Sequence, residues 1–184
     1  MRSLFDLMRK KYISDYVLEE RTDTGTGKMR RVVVYRGRFY VFCRQGSELK
    51  KTKLLFTSLT ALCILASLSA LSVNAPVGHR WYVMFPLALM VFPLLFQAES
   101  CVLLLRAKEK IERSPRDKIE QRMVVTSVFL AVFSFFSLAG HVASMILYQE
   151  TSRDVVYLAA AGVVLVSSLV MIRARRMLKT EEIL

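Results

Sequence analysis

Four stretches of the chain stay apolar long enough to cross a hydrocarbon layer of about 30 Å, a distance that takes about 20 helical residues. They run from Leu54 to Val73, Trp81 to Leu105, Met123 to Leu147 and Val155 to Ile172, with brief polar connectors between them. Charged and β-rich sequence fills residues 1–53, and a short basic tail covers 173–184. The pattern predicts a mainly α membrane protein: a four-transmembrane-helix bundle preceded by a small N-terminal cytoplasmic helix and a three-stranded antiparallel β module.

Within that first segment, Leu4, Phe5, Leu7, Met8 and Tyr12 fall on one face of a helical projection, which predicts a short amphipathic helix. It would lie in the headgroup layer or cover the strands that follow. From Asp15 the period changes. YVLEER, MRRVVVY and RFYVFCR are rich in Val, Tyr and Phe, as strands are, and TDTGTGK reads as the loop between the first two. Arg36 and Gly37 form a two-residue connection in which Gly37 would supply the positive φ of a tight hairpin, pairing Val34 with Phe39 and Val32 with Val41. Both faces of such a hairpin are apolar, so it should pack on another surface. TGTGK is no phosphate-binding loop: that motif needs glycine at Thr22 and a hydroxyl at Met29.

Composition sharpens this reading only through placement. The 184 residues are 54% hydrophobic with a formal net charge of +12. Of the 27 Lys and Arg, 14 precede Leu54, 7 lie between Arg106 and Arg122, and 4 follow from Arg173, leaving Arg80 and Arg153 in the other connectors. The asymmetry predicts an integral cell-membrane protein with both termini and the middle loop cytoplasmic. It also makes membrane lipids, including anionic headgroups, the expected partners of the basic residues, and no nucleic acid is expected. An apolar run near Met1 is lacking, so no cleavable signal is expected. Cys43, Cys63 and Cys101 have no paired spacing and read as three thiols.

Inside the apolar stretches, Pro86 and Pro93 each remove a backbone hydrogen bond from the second span and can kink it. Ala139 with Ala143, Gly140 with Ser144, and Ala66 with Ala70 have spacings that let helices approach closely.

Glu99 is the exception among these residues. Seven residues before Arg106, it should lie about 10 Å below the cytoplasmic edge. An ionised carboxylate there is costly, so it should be protonated, paired or wetted. Gln97 and Ser100 neighbour it, and Thr57, Ser58, Thr60, Thr126, Ser127, Ser167 and Ser168 occupy similar depths on the other three spans. This polar layer is the candidate binding site. It is expected mainly to be a structural hydrogen-bonding cluster, with an ion, proton or substrate role as the alternative. His141 lies toward the outer side, too far from Glu99 for a direct couple.

Two histidines, one of them in a turn, supply no multi-His metal centre, and no Ser-His-Asp or Cys-His set shares one depth. The sequence therefore points to a non-enzymatic membrane accessory or scaffold protein that anchors a cytoplasmic interaction module, without a cofactor. It would bind a protein partner or form a homo-oligomer. The alternative is a small oligomeric transporter or channel component in which the intramembrane Glu99 handles a proton or cation.

Overall fold

The computed structural model describes residues 13, 15–22, 29–72, 80–108, 110–148 and 155–182. The amphipathic segment ending at Tyr12 and the TDTGTGK turn residues 23–28 lie outside the described residues. In chain order the elements are β1 (Tyr16–Thr22), β2 (Met29–Tyr35), β3 (Phe39–Phe42), α1 (Gly46–Ser72), α2 (Trp81–Leu89), α3 (Val91–Arg106), β4 (Lys110–Glu112), α4 (Arg113–Asp117), a π turn at Lys118–Arg122, α5 (Met123–Tyr148), α6 (Val155–Ala174), a 3-10 turn at Arg175–Leu178 and β5 (Thr180–Glu182).

Helical segments Gly46–Ser72, Trp81–Arg106, Arg113–Leu147 and Val155–Leu178 are each long and apolar enough to cross a membrane. Their burial is modest, and large apolar side chains such as Leu65, Phe92, Phe136 and Leu169 stand exposed around the outside. Within the second segment, α2 and α3 join at Met90, whose amide donates to the carbonyl of Pro86 at 3.1 Å. Pro93 has no N–H for the carbonyl of Leu89, so the bond that would span Met90 is missing where the helix breaks, whereas α2 runs on through Pro86, which leaves the Tyr82 carbonyl without its i+4 donor.

Two strand pairings differ from the expected meander. β1 and β2 do form an antiparallel ribbon, with Tyr16 opposite Tyr35 and Leu18 opposite Val33. However, β3 does not pair with β2. It is the central strand of a second sheet ordered β4-β3-β5, with Tyr40 opposite Ile111 on one side and Glu182 on the other. The reason lies at the connection. Arg36 N–H donates to the Asp15 carbonyl at 2.8 Å, which closes the ribbon before β3 begins. Gly37 does not take a positive φ, and only Gly46, where the chain turns from β3 into α1, does so among the described glycines. Gly37 is needed for space instead: a Cβ there would lie 2.5 Å from the Tyr35 ring and 2.8 Å from Asp15 Cβ.

Residues expected as a middle loop and a tail thus contribute strands. Alternation along β3 points Tyr40 and Phe42 inward, where they join Ile111, Leu49, Ile119 and Leu178 in one apolar cluster continuous with the helix interior. Residues 39–42, 110–112 and 180–182 must all sit at one end of the bundle to make this sheet. The region before α5 also departs from the expected polar connector. Arg113 to Arg122 is helical, so the third long helix begins ten residues before Met123 and carries Lys118 and Arg122 alongside α3.

Candidate functional site

Gln97 and Glu99 are two residues apart, which on an α-helix turns them about 200° away from each other. The structure separates them accordingly. Gln97 shares the buried face of α3 with Ser100, Cys101 and Leu104. Its Oε1 receives the Thr126 hydroxyl of α5, and its Nε2 donates to Met171 Sδ of α6 at 3.1 Å. One amide therefore links three helices. Met171 was not foreseen, because a thioether gives no polar signal in the sequence.

Glu99 faces the other way, with its side chain 44% exposed. Lys118 Nζ lies 2.8 Å from Oε1 and Arg122 Nη1 2.5 Å from Oε2, and the Arg122 guanidinium also sits 5.4 Å from the centre of the Phe96 ring. The carboxylate is a paired group at the flank of α3 and does not join the Gln97 node. Both cations belong to the π turn, an i→i+5 winding that recurs at functional sites in helices. Their role was hidden in the sequence by the expectation of an irregular connector there.

The other expected members of the polar layer divide in the same manner. Thr57, Ser100, Ser127 and Ser168 donate to carbonyls of their own helices, from Lys53, Phe96, Met123 and Val164 respectively. Thr60 does likewise with Phe56, and exposed Ser58 with Leu55. Thr57 also accepts from the Cys101 thiol at 3.4 Å, which joins α1 to α3. Ser167 is buried beside Cys63. What the structure brings together is a hydrogen-bonded seam between helices. Residues with self-satisfied hydroxyls predominate in it.

A longer polar feature runs along α5. Among the described side chains of α5 the eight buried ones are Met123, Thr126, Ser127, Leu130, Ser134, Ser137, His141 and Ser144. Six are polar, while the exposed faces carry Phe129, Phe135, Phe136 and Ile146, so the helix is polar inside and apolar outside. Sequence reasoning missed this seam, although the rows Ser127–Ser134–His141 and Leu130–Ser137–Ser144, each at seven-residue spacing, are the signal that would have marked it.

At the sheet end, Tyr16, Tyr35 and Phe39 form an edge-to-face aromatic row with successive centroids 5.1 Å apart. It joins the β1–β2 ribbon to the second sheet. Tyr35 donates its hydroxyl to the Arg38 carbonyl at 2.8 Å and accepts the Arg113 amide at 3.1 Å. Tyr16 donates to Glu112 Oε2 at 2.7 Å. This bond, reinforced by burial and by the Glu112 charge, pushes the Tyr16 phenol up to about 12. Burial is the main cause that raises Tyr35. On the opposite side of β3, Arg116 stacks 4.3 Å over the Tyr40 ring, donates to Thr180 Oγ1 at 2.8 Å and pairs with Glu120 at 3.2 Å.

Among the described residues no three His, Cys, Asp or Glu side chains are grouped to hold a metal, and the three cysteines are free thiols. The arrangement defines a class: a bundle of four long apolar helices bearing at one end a sheet assembled from three separate chain segments. Compared with known proteins, the chain matches no protein family, no curated protein and no solved structure.

Proposed function

We propose that this protein is a non-enzymatic integral membrane scaffold whose four helices anchor a docking module at the cytoplasmic face of the cell membrane. The observation that carries the reading is the β1–β2 ribbon. Leu18 and Val33 face each other across its register and are 66% and 61% exposed, and Met29 is more exposed still. Exposed apolar pairs on a ribbon tied down at one end suit a protein partner, because burying them would stabilise the complex by about 25 cal/mol for each Å² of apolar surface removed from water. The concentration of Lys and Arg at the sheet end supports the cytoplasmic orientation.

The test is photo-crosslinking in native membranes from a probe placed at Leu18. A partner that crosslinks in stoichiometric amount, and is lost in Leu18→Glu/Val33→Glu while the protein stays membrane-inserted, supports docking through the ribbon. Crosslinks to lipid alone reject it.

The α5 seam favours one second reading, a small oligomeric transporter or channel component, because a buried polar helix face can line a path. Glu99 as its proton or cation carrier has less support, since two cations already engage that carboxylate. Flux in proteoliposomes across a pH gradient decides between the two readings.

A further inference from the structure

Positive charge at the sheet end falls into two flanks of different character. On the flank formed by α4 and the π turn, every cation has a carboxylate: Arg113 with Asp15, Arg116 with Asp117 and Glu120, and Lys118 and Arg122 with Glu99. The flank formed by the start of α1 and the ends of α3 and α6 has one carboxylate, Glu48, which pairs with Lys51 and Arg44, and more cations than that carboxylate engages. There Lys50, Arg106, Lys108, Arg173, Arg175 and Arg176 are all exposed, and none makes an ion pair within the described chain.

The helix ends that carry these six are joined at the start of α1. Lys53 Nζ donates to the carbonyl of Ala107 at 2.6 Å, which fixes the start of α1 against the end of α3. The Cys43 amide donates to the Lys179 carbonyl at 3.0 Å, which holds the chain leaving α6 beside the approach to α1. Along each of these helices, exposed apolar side chains begin within one turn of the cations: Leu54 after Lys50, Leu105 before Arg106, and Leu169 and Val170 before Arg173. A surface that places unpaired cations directly above exposed apolar side chains matches an amphiphile, with an anionic head and hydrocarbon tails. Free phosphate or nucleic acid would use the cations and leave the apolar belt uncovered.

We propose that the α1/α3/α6 flank is a binding site for anionic phospholipid, with Arg106, Lys108, Arg175 and Arg176 holding headgroup phosphates while the adjoining Leu54, Leu105 and Leu169 surface takes the acyl chains. The paired α4 flank is left to neutral lipid. This assignment rests on the reading that the helices span a membrane. It goes beyond a general attraction of basic residues to the surface by naming one side of the bundle.

The experiment reconstitutes the full chain in nanodiscs of mixed phosphatidylcholine and phosphatidylglycerol and measures retained lipid by native mass spectrometry. Phosphatidylglycerol should be enriched on the wild-type protein. Enrichment should fall roughly tenfold or more in Arg106→Gln/Lys108→Gln/Arg175→Gln/Arg176→Gln, since each basic residue near an anionic surface adds to the attraction. Arg106→Lys/Arg175→Lys/Arg176→Lys should keep it, which guards against a misfolded neutral variant. Equal retention of the two lipids by the wild type, or unchanged enrichment in the Gln variant, would overturn the site. Displacement of the lipid by millimolar inorganic phosphate would overturn the assignment to phospholipid. A chain that stays soluble and never enters the nanodisc would reject the membrane reading itself, a separate outcome from equal retention.

Discussion

Gly140 of α5 lies against the backbone of Tyr82 in α2, so closely that a Cβ on Gly140 would stand 3.0 Å from the Tyr82 carbonyl oxygen. That carbonyl is the one Pro86 leaves without its helical donor. A missing side chain on one helix therefore meets a carbonyl on another that lacks its i+4 amide donor. Gly140→Ala should cost about 1–3 kcal/mol by overpacking, since backbone cannot move aside as a flexible side chain does. Thermal unfolding in mild detergent measures this, and a wild-type midpoint for Gly140→Ala would count against the close approach.

Gly37 makes a comparable demand at the sheet end, where the Tyr35 ring covers it and is held by Arg38 and Arg113. Gly37→Ala should loosen the join between the ribbon and β3, read as faster amide exchange at Phe39 to Phe42. Because the obstacle is largely the Tyr35 ring, Gly37→Ala combined with Tyr35→Ala should cost less than the sum of the two changes. Strict additivity would show that Tyr35 is not the obstacle.

The separation of Gln97 from Glu99 predicts two different mutational responses. Glu99 is nearly half exposed, so its coupling to Arg122 in a double-mutant cycle should be roughly 0.2–1 kcal/mol and should shrink as salt is added. Gln97→Leu should cost about 0.5–1.5 kcal/mol whatever the salt, because Met171 loses its donor and Thr126 its cross-helix acceptor, while Thr126 keeps the carbonyls of Arg122 and Met123. Equal salt dependence at both positions would contradict the separation.

Tyr16 provides a pH signature. Its folded-state pKa is raised from 10.0 to about 12, so the folded chain holds this proton more tightly than the unfolded one. The stabilisation is fully present below pH 10 and is lost as pH rises through about 12. Absorbance titration should show a late phenolate step that Tyr16→Phe removes. If the step persists in that variant, another tyrosine is its source.

Thiol labelling tests the orientation. Cys43 is exposed while Cys63 and Cys101 are buried. A membrane-impermeant maleimide should modify only Cys43, and only when it has access to the cytoplasmic face. Modification of Cys43 from the external side would invert the proposed topology.

The number of long helices and the place of their apolar centres were legible in the sequence because hydropathy is summed over about 20 residues, and no single packing decision changes that sum; their starts at Gly46 and Arg113 were not. The β1–β2 ribbon was legible for a similar reason: Tyr16 and Val17 before a glycine-containing stretch, and Val32 to Tyr35 after it, are a local strand signal. Local reasoning also predicted a hairpin at Arg36–Gly37, and there it failed. Whether β3 pairs with β2 or with β4 and β5 depends on residues some 70 and 140 positions away, and β4 and β5 are too short to carry a strand pattern of their own. Glu99 was recognisable as a carboxylate that needed a partner, yet its partners Lys118 and Arg122 came within reach only because the third helix begins early and runs beside α3. The chain by itself determined which segments are apolar and which residues require hydrogen bonds or counter-charges. The tertiary structure decided which groups meet, because strand pairing and ion pairing depend on distances in space that no local window contains.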